Sequence, residues 1–298
     1  MENYLGELAA LATSLSFAFG STMFTFAGRR LGSLIVNRTR LVIAALLLSA
    51  VHWITLGSLF PFDAEPERFF WLGLSGVVGL VLGDIFLFQA FVLIGPRLSM
   101  LMMSLAPILA AIQAWIFLGE KLSGWQIFGI LLTVGGIAWV ILEKNGHSEN
   151  DREYGRGILF GLGGAIGQAT GFVLAKNGVG GEFSPISANL IRMIAAVILL
   201  WLITFVQGQA KSTISTFFND RKGMFATFGG AFAGPFLGVS LSLFALQRVE
   251  VGVASTLTAL PPIFLLPISY FIFKERFSFG AIAGTLVAMA GVAALFLV

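Results

Sequence analysis

The sequence has no cysteine and only two histidines, and Asp, Glu, Lys and Arg together make up 11% of its 298 residues. Without thiols there is no disulfide framework and no thiolate metal site, and His52 and His147 are too few for a histidine metal centre. A soluble domain carries about 25% charged residues because its surface faces water, and this chain cannot cover a surface that way. No basic run with interleaved aromatics occurs, so the net charge of +3 does not describe a nucleic-acid surface. A GxxxxGK[ST] phosphate loop and an HExxH metal motif are both absent. An intramembrane aspartyl protease needs two facing aspartates, one in a GxGD context. Here the residues are Leu82-Gly83-Asp84, and no second aspartate lies in an apolar stretch. No serine–histidine pair is placed to meet in the membrane either. The start, Met1-Glu2-Asn3, lacks the positive region of a cleaved signal peptide. Neither enzymatic chemistry nor a cofactor is expected.

What is abundant is apolar. Hydrophobic residues make up 57% of the chain, with 30 Phe and 36 Gly. A helix needs roughly 20 apolar residues to cross a bilayer, and backbone groups inside lipid require helices to satisfy them. The pattern predicts an all-α integral membrane protein with ten spans, at 5–26, 34–56, 70–93, 98–118, 124–142, 157–176, 185–206, 223–246, 251–273 and 278–298.

The chain also repeats itself. Ser99–Leu142 and Ala254–Leu297 align without a gap at an offset of 155, with 11 of 44 positions identical. Pro107 falls on Pro262, Glu120 on Glu275, Ser123 on Ser278, Gly129 on Gly284 and Gly136 on Gly291. The same offset puts Gly79 and Gly83 on Gly234 and Gly238, two GxxxG spacings suited to close helix contact. Asn37-x-x-Arg40 corresponds to Asn189-x-x-Arg192 at offset 152. The polar stretch 143–156 separates residues 1–142 from 157–298, giving two halves of five spans. An odd number per half makes the second half enter from the opposite face, the inverted repeat of many secondary transporters. For orientation, the connections after spans 1, 3, 5, 7 and 9 hold twelve Lys and Arg, Arg38 and Arg97 among them, against four on the other side. The positive-inside rule would place both termini outside.

Asp84, midway along the third span, is the clearest candidate for chemistry, because an ionisable group at that depth faces the bundle interior or a wet cavity. It reads either as a carboxylate coupling transport to protons or another cation, or as a structural aspartate bonded to a neighbouring helix. Its repeat mate is Val239. Prolines interrupt the fourth and ninth spans and free backbone acceptors near Met103 and Thr258. With Ser99, Ser104, Pro107 and Gln113 on one span and Ser255, Thr256, Thr258 and Pro262 on the other, a pathway lining is expected. Gln89 and Gln168 suit substrate contact or helix contact. Arg40 and Arg192, one turn inside their spans, read as snorkelling to headgroups or as anion contacts through the guanidinium fork. The Glu-basic pairs at 120–121 and 275–276 read as turn caps, Glu7 as interfacial, and Trp115, Trp139, Trp201 and Tyr270 as packing or interface aromatics.

Two five-span halves, each with an AP- or PP-x stretch (APILAAIQAWIFLGEKLSGWQIFG and PPIFLLPISYFIFKERFSFGAIAG) and a glycine-rich last span, resemble the EamA-type drug/metabolite transporters. The family's arginine in the second span of each half matches Arg40 and Arg192. The second copy departs at Lys274, where the first has the usual Gly119. The resemblance implies a carrier working by alternating access, commonly exporting amino acids or other small metabolites, with both termini cytoplasmic. Related small multidrug carriers use a first-span Glu, where this chain has Ala12 and Ser14. The expected partners are a small-molecule substrate, the lipid bilayer and protons or another coupling ion, in the plasma or inner membrane, with monomer and homodimer both open. A flippase or exporter of lipid-linked or hydrophobic cationic compounds and a non-transporting scaffold are the alternatives.

Overall fold

A computed structural model describes residues 4–118, 121–143, 151–178, 183–246, 248, 256–275 and 277–296, and these contain helices and no strands. The helices are α1 (Leu5–Leu31), α2 (Ser33–Leu56), α3 (Pro66–Gly76), α4 (Asp84–Met103), α5 (Ala106–Leu118), α6 (Gly124–Leu142) and α7 (Asp151–Gly178). They continue as α8 (Pro185–Val206), α9 (Ala210–Asn219), α10 (Arg221–Ala231), α11 (Val239–Leu246), α12 (Pro261–Ile272) and α13 (Phe279–Phe296). Two π-helical segments, Val77–Gly83 and Phe232–Gly238, join α3 to α4 and α10 to α11. Seven helical segments among the described residues are long and apolar enough to cross a bilayer.

The punctuation is local chemistry. Gly32 and Gly57, at φ 89° and 75°, separate α1 from α2 and end α2 in a conformation that disfavours side chains. Pro66 opens α3 at a position where its missing N–H is not needed. Ser123 caps α6, its Oγ accepting from Gln126 N at 3.1 Å while Gln126 Oε1 accepts from Ser123 N at 2.9 Å. Its repeat mate Ser278 accepts from Ala281 N at 3.0 Å at the start of α13. Serines are therefore the caps at both turns. Glu275 points elsewhere, and Glu120 and Arg276 lie outside the described residues.

Pro66–Met103 forms 38 residues of near-continuous helix, about 57 Å if straight. It is not straight: Gly95 takes φ 76° and ψ 173° just before Pro96, so the chain turns there. Pro267 lies inside α12, but Pro107, Pro261 and Pro262 do not kink continuous helices. They open new ones. Ser104 N and Leu105 N bond to the carbonyls three residues back, and these two residues separate the end of α4 at Met103 from Ala106-Pro107. At the same repeat offset, Ala259 N bonds to Thr256 O and α12 begins at Pro261-Pro262.

Glycines set which helices meet. α7 lies along α3, the first π segment and α4. A Cβ at Gly167 would stand 2.5 Å from Gly83 Cα, and one at Gly171 2.9 Å from Gly79 Cα. In the mirrored arrangement α1 lies along α10, the second π segment and α11, with a Cβ at Gly20 meeting Gly234 N at 3.1 Å. The first helix of each half thus packs on the π-interrupted helix of the other. α6 and α13 pair through Gly129, Gly136, Gly284 and Gly291. Small residues bring the backbones together where no hydrophobic effect drives helices into contact.

Two parts of the sequence reading are corrected. The stretch between the seventh and eighth spans, expected as a connection, contains α9. Arg38 and Arg97, counted with the connections, are buried inside α2 and α4. Arg38 donates to Thr213 Oγ1 at 2.9 Å and Gln209 Oε1 at 2.8 Å, and its carbonyl accepts from Trp201 Nε1 at 3.2 Å. It fastens α2 to the α8–α9 corner.

Candidate functional site

Asp84 is the first residue after the first π segment. That wider turn carries an extra residue, so Gly79 and Gly83 face α7 while Asp84 faces α2. Its carboxylate Oδ2 accepts from Arg40 Nη2 in an ion pair with both side chains buried. Arg40 Nε donates to Asn37 Oδ1 at 3.1 Å, and the guanidinium lies 4.7 Å from the Phe88 ring and 5.8 Å from Phe24. Arg40 therefore does not snorkel; it is held inside by a carboxylate, an amide and two rings. Asn37 Nδ2 is enclosed without a protein partner.

Arg192 approaches from the other half. Its charge acts on Asp84 without a hydrogen bond between them, and its guanidinium lies 5.6 Å from the Phe172 ring. The Nε atom is sealed from solvent and has no protein partner. Gln168 comes to the same place from α7, and its Oε1 is also enclosed and unpartnered. A side chain at Gly79 would reach within 3.2 Å of that oxygen and 3.5 Å of Arg192 Nη2. The structure thus brings together Asp84, Arg40, Arg192 and Gln168, with both repeat-related arginines on one aspartate.

The remaining candidates are dispersed. Gln89 Oε1 accepts from Ser33 Oγ at 2.7 Å, a contact between α2 and α4. Ser99 donates to Gly95 O at 2.7 Å and satisfies the carbonyl at the Gly95 turn. Met103 packs against the apolar cluster that includes Phe24, Phe88 and Phe91, and Ser104 donates to Met100 O at 3.4 Å. Pro107 and Gln113 are half-buried on α5, and Thr258 is half-buried beside the second break. Thr256 Oγ1 is enclosed and unpartnered on that turn, Pro262 is buried at the start of α12, and Ser255 lies outside the described residues. Ser14 donates to Leu257 O, so α1 closes over the second break. Glu7 is half-buried with an enclosed, unpartnered Oε2. Trp115, Trp139 and Tyr270 are exposed on the apolar exterior.

A second charged group was not legible as such. Arg97 Nε stands 3.5 Å from Glu275 Oε2, and its guanidinium lies 4.5 Å from the Phe277 ring. Arg29 lies 5.1 Å from Phe273, and a Cβ at Gly95 would come within 3.0 Å of Glu275 Oε1. Lys274, next to them, has φ 55°. That is the left-handed region glycine prefers, which explains the glycine expected there from the first copy.

Burial pushes the Glu275 carboxyl above the usual glutamate range, and Arg97 and Arg29 pull it only partly back. The folded protein therefore keeps this proton to higher pH than the unfolded chain, and the stability it contributes is lost as pH rises through the folded value. Glu275→Gln cannot ionise and escapes that loss. Its melting temperature in detergent, relative to the parent, is expected to rise as pH increases through and above the glutamate range. A variant that melts below the parent at neutral pH shows instead that the ion pair outweighs burial.

These features define a polytopic helical membrane protein built from two copies of one unit, joined through glycine seams around a buried charged cluster. The EamA-like transporter family model matches residues 4–142 and 155–297. The chain belongs to that family, within the drug/metabolite transporter superfamily, whose members are membrane transporters of small substrates rather than enzymes. A solved protein crystal structure is similar over 97% of this chain and 96% of its own, with a TM-score of 0.63 at 16% identity, a likeness of fold. No curated protein sequence matches the chain.

Proposed function

We propose that this protein is a secondary carrier that moves small metabolites, amino acids among them, out of the cell by alternating access between two inverted five-span halves. The supporting observation is the convergence of Arg40 and Arg192, equivalent positions in the two copies, on the single carboxylate of Asp84. Buried charge in a membrane is costly and is kept where a substrate or ion passes. The turn at Gly95 divides the 38-residue helix in two, as ten spans require. The helix breaks before Pro107 and Pro262, at matching positions, supply free backbone groups near the bilayer centre.

Counterflow in proteoliposomes tests this reading. Vesicles loaded with an unlabelled amino acid, nucleoside, organic acid or quaternary amine are expected to accumulate the same labelled compound transiently, for at least one of these classes. Protein-dependent exchange of none of them removes the carrier assignment.

A further inference from the structure

α9 joins two apolar segments long enough to cross a bilayer: Pro185–Val206 ends before it and Arg221–Ser242 begins after it. It therefore lies at the surface of the bilayer. Its buried face is Thr213 and Phe217, the first bonded to Arg38 and the second part of the apolar cluster that includes Leu31, Val36 and Ala226. One position further round, Ile214 and Phe218 are 45% and 62% exposed. Ser212, Ser215 and Asn219 are exposed on the remaining side, with Asn219 Nδ2 donating to Ser215 Oγ at 3.2 Å. A helix with one face on protein, one apolar and one polar suits the plane of the membrane interface. Exposed cations edge the apolar face. Lys211 stands three and seven positions before Ile214 and Phe218, on the same side of α9. Arg221 and Lys222 stand four and three positions before Phe225 on α10, itself 68% exposed. The acid between them is taken: Asp220 accepts from Arg30 Nε and Nη2 at 2.8 and 2.9 Å and from Gly223 N at 3.1 Å. Lys211, Arg221 and Lys222 have no acidic partner among the described residues, and neither does Arg38 beneath α9.

We infer that α9 and the start of α10 form a docking surface for anionic phospholipids, whose headgroups meet Lys211, Arg221 and Lys222 while their chains lie on Ile214, Phe218 and Phe225. The inference does not depend on the carrier reading. α9 is about 15 Å long, so Lys211 and the Arg221-Lys222 pair mark its two ends, and the surface takes more than one lipid. Basic side chains at the membrane surface attract anionic headgroups. A zwitterionic headgroup offers the same phosphate but sets its own cation beside these three. Arg38 adds a further positive charge from inside and, through Thr213 and Gln209, fixes which face α9 turns to the lipid.

Native mass spectrometry of the purified chain, titrated in detergent with phosphatidylglycerol or with phosphatidylcholine of the same acyl chains, tests this. The parent is expected to hold phosphatidylglycerol more tightly. Lys211→Gln, Arg221→Gln and Lys222→Gln should each weaken that lipid roughly five-fold and leave phosphatidylcholine unchanged. Arg248→Gln, beyond the far end of the helix that starts at Arg221, removes another exposed cation and should change neither. All four side chains are exposed, so the variants keep the fold, which equal melting temperatures in lipid-free detergent check. Equal retention of the two lipids by the parent overturns the inference. A phosphatidylglycerol preference that survives in Lys211→Gln/Arg221→Gln/Lys222→Gln, or that falls as far in Arg248→Gln, does so too. Displacement of phosphatidylglycerol by soluble glycerol phosphate at equal concentration assigns the three cations to a free phosphate ester and likewise rejects the lipid surface.

Discussion

Asp84→Ala is expected to cost about 3–5 kcal/mol of stability, the range for removing one partner of a buried ion pair. In detergent this should appear as a fall in melting temperature of about 10 °C, at roughly 2–4 °C per kcal/mol for a chain of this size. The cost does not come from the lost attraction alone. Asp84 is 3% exposed and Arg40 6%, so neither charge can turn to water when its partner is removed. Arg40→Met should be milder than Asp84→Ala, because Asp84 then still has Arg192, whereas Asp84→Ala leaves two guanidiniums facing each other. The double variant Arg40→Met/Asp84→Leu removes one charge of each sign and should recover part of the loss, since apolar groups of similar volume often replace a buried pair without penalty. Equal melting of Asp84→Ala and the parent would show that the pair contributes nothing to the fold.

The same pair shows how far the sequence could be read. Asp84 was identifiable because a carboxylate in the middle of an apolar run has no surface to reach. Arg40 and Arg192 were ambiguous, because an arginine one turn from a helix end has a stem long enough to snorkel. Only the three-dimensional meeting of α2 with α4 decides for Arg40. The duplication was visible in unbroken spacing, and it located Gly79, Gly83 and their mates. That these glycines lie in π segments was not readable, since the wider turn depends on packing against α7 and α1. The proline breaks were read in the right places but with the wrong geometry, because a proline at the first turn of a new helix and one inside an old helix give the same sequence. α9 was missed for want of length, being ten residues. Arg38 and Arg97 were read as loop charges because their partners, Gln209, Thr213 and Glu275, lie in the other half. Lys274 signalled its backbone only by differing from Gly119.

Gly167→Leu should be the most damaging single change outside the charged cluster. Its Cβ would lie 2.5 Å from Gly83 Cα, 2.9 Å from Gly83 N and 3.4 Å from Val78 O. All three are backbone atoms of a packed helix, so no side chain can swing aside, and the helices themselves must separate. Extra methylenes in a well-packed interior cost about 1–3 kcal/mol, and leucine adds four carbons at a seam with no slack. Gly135→Leu is the matched control: Gly135 is exposed and a Cβ there meets nothing within 4 Å, so the same substitution should leave melting and exchange unchanged. Separation at Gly167 would also move Gln168 away from Gly79 and loosen the approach of α7 to Asp84. Gly167→Leu is therefore expected to abolish counterflow even under conditions where the protein remains folded. If Gly167→Leu and Gly135→Leu behave alike, the contact between α7 and the first half does not hold the halves together. If only Gly167→Leu fails, the glycines that let two apolar helices touch in lipid are also what hold the charged cluster at the meeting of the two copies.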